Sequence, residues 1–124
     1  MTIEEIANGL VDLCRQGKYL EAIDAYYHDD ILSIEPVGGE AMPAEMRGKE
    51  TVRKKSEWWI ENNEVHSSEI EGPMIGGNQF SMLLTSDVTF KPENRRQTLK
   101  EMCLYTVENG KIVKERFYYH MPGM

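Results

Sequence analysis

The sequence predicts an α+β domain, and three observations predict it. Apolar residues recur at helical spacing as far as about Asn62, beyond that point the spacing changes to two, and the tightest turn signal in the chain, Asn109-Gly110, stands between two alternating runs. Helices first and a meander of strands afterwards place the helices on one face of a sheet. With 124 residues the chain is read as a single domain, 1–124, built on one core. Its 40% hydrophobic and 28% charged residues are ordinary for a globular protein.

Ile3, Ile6, Ala7, Leu10, Val11 and Cys14 follow helical spacing, Thr2 and Glu5 fit a capping box, and Gly17 fits the C-terminal stop. Tyr19, Leu20, Ala22, Ile23, Tyr26 and Tyr27 repeat the pattern over two turns and deliver the chain to an acidic turn, His28-Asp29-Asp30. A short apolar strand over 31–35 follows and closes at Glu35, because Pro36 has no N–H to give to a ladder. Between Val37 and Gly48 the turn formers Gly38, Gly39, Pro43 and Gly48, with Met42 and Met46, read as a loop that can lie across a cavity mouth. A third helix runs from Lys49 to about Asn62, with Val52, Ser56, Trp59 and Ile60 on one side and a charged face opposite. Strands are read over 64–71, 79–90, 97–107 and 111–119, connected by Gly72-Pro73, Gly76-Gly77-Asn78, Lys91-Pro92-Glu93-Asn94 and Glu108-Asn109-Gly110. The last connection makes the final two strands antiparallel neighbours.

A net charge of −7 argues against unaided binding to nucleic acid or to an anionic membrane, both of which demand a basic surface. No stretch has the apolar length of a membrane span. Met1–Glu5 has no positive region ahead of an apolar run, so no secretory signal is read there and a cytoplasmic setting is expected. Cys14 and Cys103 are too far apart for a zinc spacing or a redox pair and are read as buried free thiols. His28, His66 and His120 are scattered, and no metal or cofactor is expected. The chain has no phosphate-binding glycine loop, no nucleophile elbow and no HExxH.

Candidate chemistry rests on carboxylates. Glu35 follows Ile31, Leu32 and Ile34 at the point where a strand leaves the core. A partly desolvated carboxylate there can act as a base, whereas the plain alternative is a side chain pointing into solvent. On the last strand, alternation puts Val113, Glu115, Phe117 and Tyr119 in one cavity-facing row, which makes Glu115 a second candidate acid or, equally, a solvated strand carboxylate. The preceding strand has Leu99, Glu101, Cys103 and Tyr105 on one face and Thr98, Lys100, Met102 and Leu104 on the other, and both are half apolar. Tyr27, Trp59, Met102, Phe117 and Tyr119 are the expected ligand-contacting residues of an aromatic, methionine-rich pocket.

The order of these elements, with Gly17-Lys18-Tyr19, His28-Asp29-Asp30, Ile34-Glu35-Pro36-Val37-Gly38 and Asn109-Gly110-Lys111-Ile112-Val113, resembles the NTF2-like superfamily, and within it the SnoaL-like polyketide cyclase and ketosteroid isomerase branches. The resemblance implies a cone of three N-terminal helices packed on a strongly curved antiparallel sheet, open at one end to a ligand, with homodimers forming through the sheet. It also implies that the isomerase's proton-shuttling carboxylate falls on Glu35, its oxyanion-binding tyrosine on Leu10, and its protonated acid on Met102, or on Glu101 after a slip of one residue. The function expected from it is a cofactor-independent isomerase or cyclase acting on a small cyclic carbonyl compound, with Glu35 as base and a tyrosine or Glu115 steadying the enolate. A non-catalytic module that binds a small apolar molecule or dimerises is the alternative.

Overall fold

Residues 1–38 and 43–119 are described by a computed structural model of the chain. They form helices α1 (Ile3–Arg15), α2 (Tyr19–Tyr26) and α3 (Lys49–Asn62), and strands β1 (Tyr27–Ile34), β2 (Glu45–Arg47), β3 (Asn63–Gly76), β4 (Gln79–Phe90), β5 (Arg95–Glu108) and β6 (Lys111–Tyr118). The strands make one six-stranded sheet in the order β2-β1-β6-β5-β4-β3. The architecture is the α+β cone. Among the described residues no helix is long and apolar enough to cross a membrane.

Local chemistry explains the helices. Glu5 N–H donates to Thr2 Oγ1 at 3.2 Å and Thr2 N–H donates to Glu5 Oε1 at 3.0 Å, so two orphan donors at the start of α1 satisfy each other. The α1 stripe Ile6, Ala7, Leu10, Val11 and Cys14 is buried against β3 and β4, and Phe80 of β4 stacks on Tyr105 of β5 with ring centroids 4.8 Å apart. Removing apolar surface of this kind from water is the main force that holds helices to sheet. On α3 only Val52 is fully buried, and Ile60, read on the inward side, is 39% exposed.

Four readings change. First, β1 begins at Tyr27 and not at residue 31, so His28-Asp29-Asp30 is strand and not turn. The β1–β6 register steps from Tyr27↔Ile112 to Leu32↔Lys114, five positions against two, and the surplus residues bulge outward where the aspartates stay hydrated. Second, the segment read as a loop carries β2, whose residues Glu45–Arg47 pair antiparallel with β1, and the rest of that reading falls partly on residues 39–42, outside the described residues. Third, β3 continues through Gly72-Pro73, with a register shift between Glu71 and Met74. A proline is tolerated there because β3 is the sheet's edge strand and a bulge absorbs the missing donor. Fourth, the sheet is mixed and not wholly antiparallel: β1 runs parallel to β6, which the chain reaches only after α3 and the whole meander. A crossover of that length permits parallel pairing.

The β5–β6 pair is antiparallel about Asn109-Gly110, where both turn residues have positive φ, 50° and 75°. A further register shift, between Thr106 and Val107, gives β6 one extra residue, so Ile112 and not Val113 turns into the core, while Glu115, Phe117 and Tyr119 keep the inward phase. His120 lies outside the described residues.

Gly48 joins β2 to α3 at φ 103° and ψ 135°, donating its N–H to Ile31 O at 2.8 Å. An added Cβ would meet nothing nearer than Thr51 Oγ1 at 3.7 Å, so the demand is on the backbone and not on space. Gly48→Ala is therefore expected to lower stability by about 1–3 kcal/mol, seen as a lower urea midpoint with an unchanged slope.

Candidate functional site

The helices and the inner face of the sheet leave between them a cavity of about 650 Å³. Its walls are mostly apolar and come from every layer: Leu10 and Cys14 of α1, Ile23 of α2, Trp58 and Trp59 of α3, Met82, Leu84 and Phe90 of β4, Leu99, Cys103 and Tyr105 of β5, and Phe117 of β6. Into it project Glu35, Glu101, Glu115, Lys55 and Tyr119. Ligand sites of this type, an apolar hollow with a few convergent polar groups, fix orientation through the polar end.

Strand alternation places the polar end. On β1 the inward row is Ile31, Ser33 and then Glu35 just past the strand; Ile31 and Ser33 are fully buried. Glu35 N–H donates to Ala44 O at 2.8 Å, which pins the carboxylate's backbone to the segment entering β2. Glu115 enters from β6, and Lys55 descends from α3, three residues after buried Val52 and so on the same helical face. Lys55 Nζ donates to Glu35 Oε1 at 3.0 Å and to Ser33 Oγ at 2.7 Å, stands 3.7 Å from Glu115 Oε2, and lies 5.0 Å from the centroid of the Phe117 ring. Ser33 Oγ in turn donates to Glu115 Oε2 at 2.7 Å, and the Tyr27 hydroxyl donates to Glu115 Oε1. One ammonium thus serves two carboxylates, one directly and one through a serine.

The charges respond to this packing. Burial raises the Glu115 carboxyl above its ordinary range, against the pull of Lys55 and the two hydroxyl donors. Each of its oxygens accepts one hydrogen bond, from Tyr27 and from Ser33, and the carboxyl group thereby orients both neighbours. Glu101 lines the cavity and keeps part of its surface open; burial, then Glu35 and Glu115, push it up to about 7. Burial, and next the Glu35 carboxylate, holds the Tyr119 hydroxyl well above the usual phenol range. Burial likewise pushes the Cys14 thiol up to about 12 and lifts Cys103 far above an ordinary thiol, so neither is a nucleophile.

Of the residues singled out in the sequence, Glu35, Glu115, Tyr27, Trp59, Phe117 and Tyr119 meet around this one cavity. Met102 does not. Cys103 is buried opposite Phe117, so alternation turns Met102 outward, where it is 55% exposed beside its cross-strand partner Tyr118. The inward row is Leu99, Glu101, Cys103 and Tyr105, so it is Glu101 that faces the cavity. Leu10, at the position that the isomerase resemblance assigns to a tyrosine, lines the cavity as a hydrocarbon. Lys55 and Ser33 were missed, although each carries a signal: Lys55 shares the face of Val52, Ser56 and Trp59, and Ser33 alternates with Ile31 and Glu35.

A family model describing a SnoaL-like domain matches residues 1–119. Among solved structures, a candidate SnoaL-like polyketide cyclase from Mesorhizobium loti is 48% identical, with a TM-score of 0.90 over 96% of this chain and 100% of that one. A cystatin-like protein of unknown function from Xanthomonas campestris (17% identity, TM-score 0.77, 98% and 92% covered) and a candidate isomerase from Bacillus subtilis (13% identity, TM-score 0.76, 97% and 90% covered) share the fold. A search of curated proteins gives no significant match.

The position of Glu101 has a consequence for stability. Between the ordinary value of 4.5 and about 7 the folded chain retains a proton that the unfolded chain has released, so this group makes stability fall as pH rises through that window and level off above it. Glu101→Gln should remove that slope. In urea unfolding at pH 4.5 and pH 7.5 the variant is expected to gain on the parent by on the order of 1–3 kcal/mol at the higher pH. An equal difference at both pH values would contradict the assignment.

Proposed function

The chain belongs to the SnoaL-like domain family, and from that premise we propose that it is a cofactor-independent isomerase or cyclase in which Glu35 removes a proton beside a carbonyl of a small, apolar, cyclic molecule. One observation carries the reading: two carboxyl groups in different settings share the cavity, Glu35 in contact with the Lys55 ammonium at 3.0 Å, and Glu101 without such a contact among the described residues and pushed up to about 7 by burial. Glu35 takes the α-proton as the C–H pair moves into the new C=C bond and the carbonyl π pair moves onto oxygen. Glu101, pushed up to about 7 and so keeping its proton in part of the molecules near neutrality, can donate a hydrogen bond to that oxygen. Return of the proton from Glu35 to another carbon gives an isomer, and attack of the enolate carbon on a second carbonyl of the same molecule closes a ring. Trp59, Phe117 and Tyr119 supply walls for a flat ring system.

The name of the 48% identical relative, a candidate SnoaL-like polyketide cyclase, agrees with this chemistry in kind. A binding module without chemistry is the second reading, and Leu10 favours it, since the donor that the isomerase branch keeps at that position is gone. On the outer face of the sheet the exposed pair Met102 and Tyr118 marks the surface through which we expect two copies to join.

Exchange separates the two readings. Cyclic ketones screened for binding and then held with the protein in deuterium oxide should lose their α-proton NMR signal, and Glu35→Gln should slow that exchange by at least about 100-fold with little change in affinity. Binding without exchange in the parent protein supports the module and removes the base.

A further inference from the structure

The cavity contains a cation whose hydrogen-bonding capacity is not used up. An ammonium has three N–H donors, and among the described residues Lys55 Nζ spends two, on Ser33 Oγ at 2.7 Å and Glu35 Oε1 at 3.0 Å, while Glu115 Oε2 at 3.7 Å is beyond hydrogen-bond range. The side chain is 11% exposed, and Lys55 is part of the cavity wall. We propose that Lys55 is a catalytic residue, the electrophile that receives the carbonyl oxygen of the ligand with its third N–H while Glu35 takes the neighbouring proton. The assignment rests on the proposed base role of Glu35.

The spacing suits that pair of tasks. In a carbonyl compound the oxygen and the α-carbon are about 2.4 Å apart, close to the 3.0 Å between Lys55 Nζ and Glu35 Oε1. A ligand laid across the ion pair therefore meets the donor with its oxygen and the base with its α-proton. The charges balance at each stage. When the proton moves to Glu35, negative charge leaves that carboxylate and appears on the ligand oxygen, so the ammonium exchanges one anionic partner for another in the same shell. No water has to enter to solvate either ion, which is what a preorganised site contributes. Ser33 and Glu115 act as positioning residues: the chain from Lys55 to Ser33 to Glu115, closed by the Tyr27 hydroxyl, aims the ammonium, and the Phe117 ring at 5.0 Å holds it from one side. This arrangement puts a donor in the cavity that Leu10 cannot provide.

Naphthols test the assignment without knowledge of the substrate, because a bound naphtholate imitates an enolate and its ionisation is read from its absorbance. Glu35→Gln removes the carboxylate that competes for Lys55, so this variant should bind a 2-naphthol in its ionised form and at least tenfold more tightly than the parent. The double variant Glu35→Gln with Lys55→Met removes the direct ion pair as a unit and leaves Glu115 with its Tyr27 and Ser33 donors; it should bind the naphthol neutral, with at least tenfold weaker affinity than Glu35→Gln. Ionised naphthol in the double variant, neutral naphthol in Glu35→Gln, or no binding to either would overturn the role of Lys55. Those outcomes are independent of α-proton exchange: loss of exchange in Glu35→Gln with neutral naphthol would keep the base and reject the electrophile, and unchanged exchange with ionised naphthol would do the reverse.

Discussion

The inner architecture depends on one ammonium, Lys55, set among three carboxyl groups. Lys55 reaches down from α3, the Glu35 carboxylate stands at the end of β1, Glu115 comes from β6 and Glu101 from β5, so four elements contribute charges to one partly dry volume. A lone ion in such a place is expensive, and breaking a buried pair by removing one partner typically costs on the order of 3–5 kcal/mol. The fold meets this demand by sharing: one cation is paired directly with Glu35, coupled through Ser33 to Glu115, and nearby enough to oppose the rise at Glu101 without cancelling it. The same contact fixes α3 over the β1–β6 junction.

That junction is where the mixed sheet matters. Because β1 runs parallel beside β6, the inward rows of both strands approach the same end of the cone, and Ser33 and Glu115 come within hydrogen-bond distance although 82 positions separate them. The bulges at β1 and at Thr106/Val107 set the phase of these rows. A one-residue slip in either would send Glu35 or Glu115 to solvent and bring a neighbour inside. The apolar walls leave a hollow that the side chains do not fill, and burial holds the Glu101 and Glu115 carboxyl groups above their ordinary range. Both features cost stability, as functional sites commonly do.

Much of this was legible in the residues. Capping signals and the apolar stripe located α1, the change of period at about Asn62 separated helices from strands, and Asn109-Gly110 placed the last hairpin. Glu35 could be singled out because an acid after three apolar strand residues and before a proline is chemically conspicuous. Lys55 was harder to see. On a helix that also carries Glu50, Arg53, Lys54 and Glu57, one more charged residue looks like surface, and only its three-residue offset from Val52 marks it as inward. Met102 went astray because both faces of β5 are half apolar, so alternation alone had no sign.

By itself the sequence determined the local matters: which segments coil and which extend, where the chain turns, and that acids and aromatics are available for a site. These follow from backbone preferences and hydrophobic period, which act over a few residues. Only the tertiary structure decided which row of β5 looks inward, that β1 lies parallel to β6, and that Lys55 finds Glu35. Each of these depends on pairing across long stretches of chain, where bulges shift register and where a buried charge is tolerated only if its counter-charge arrives from another element.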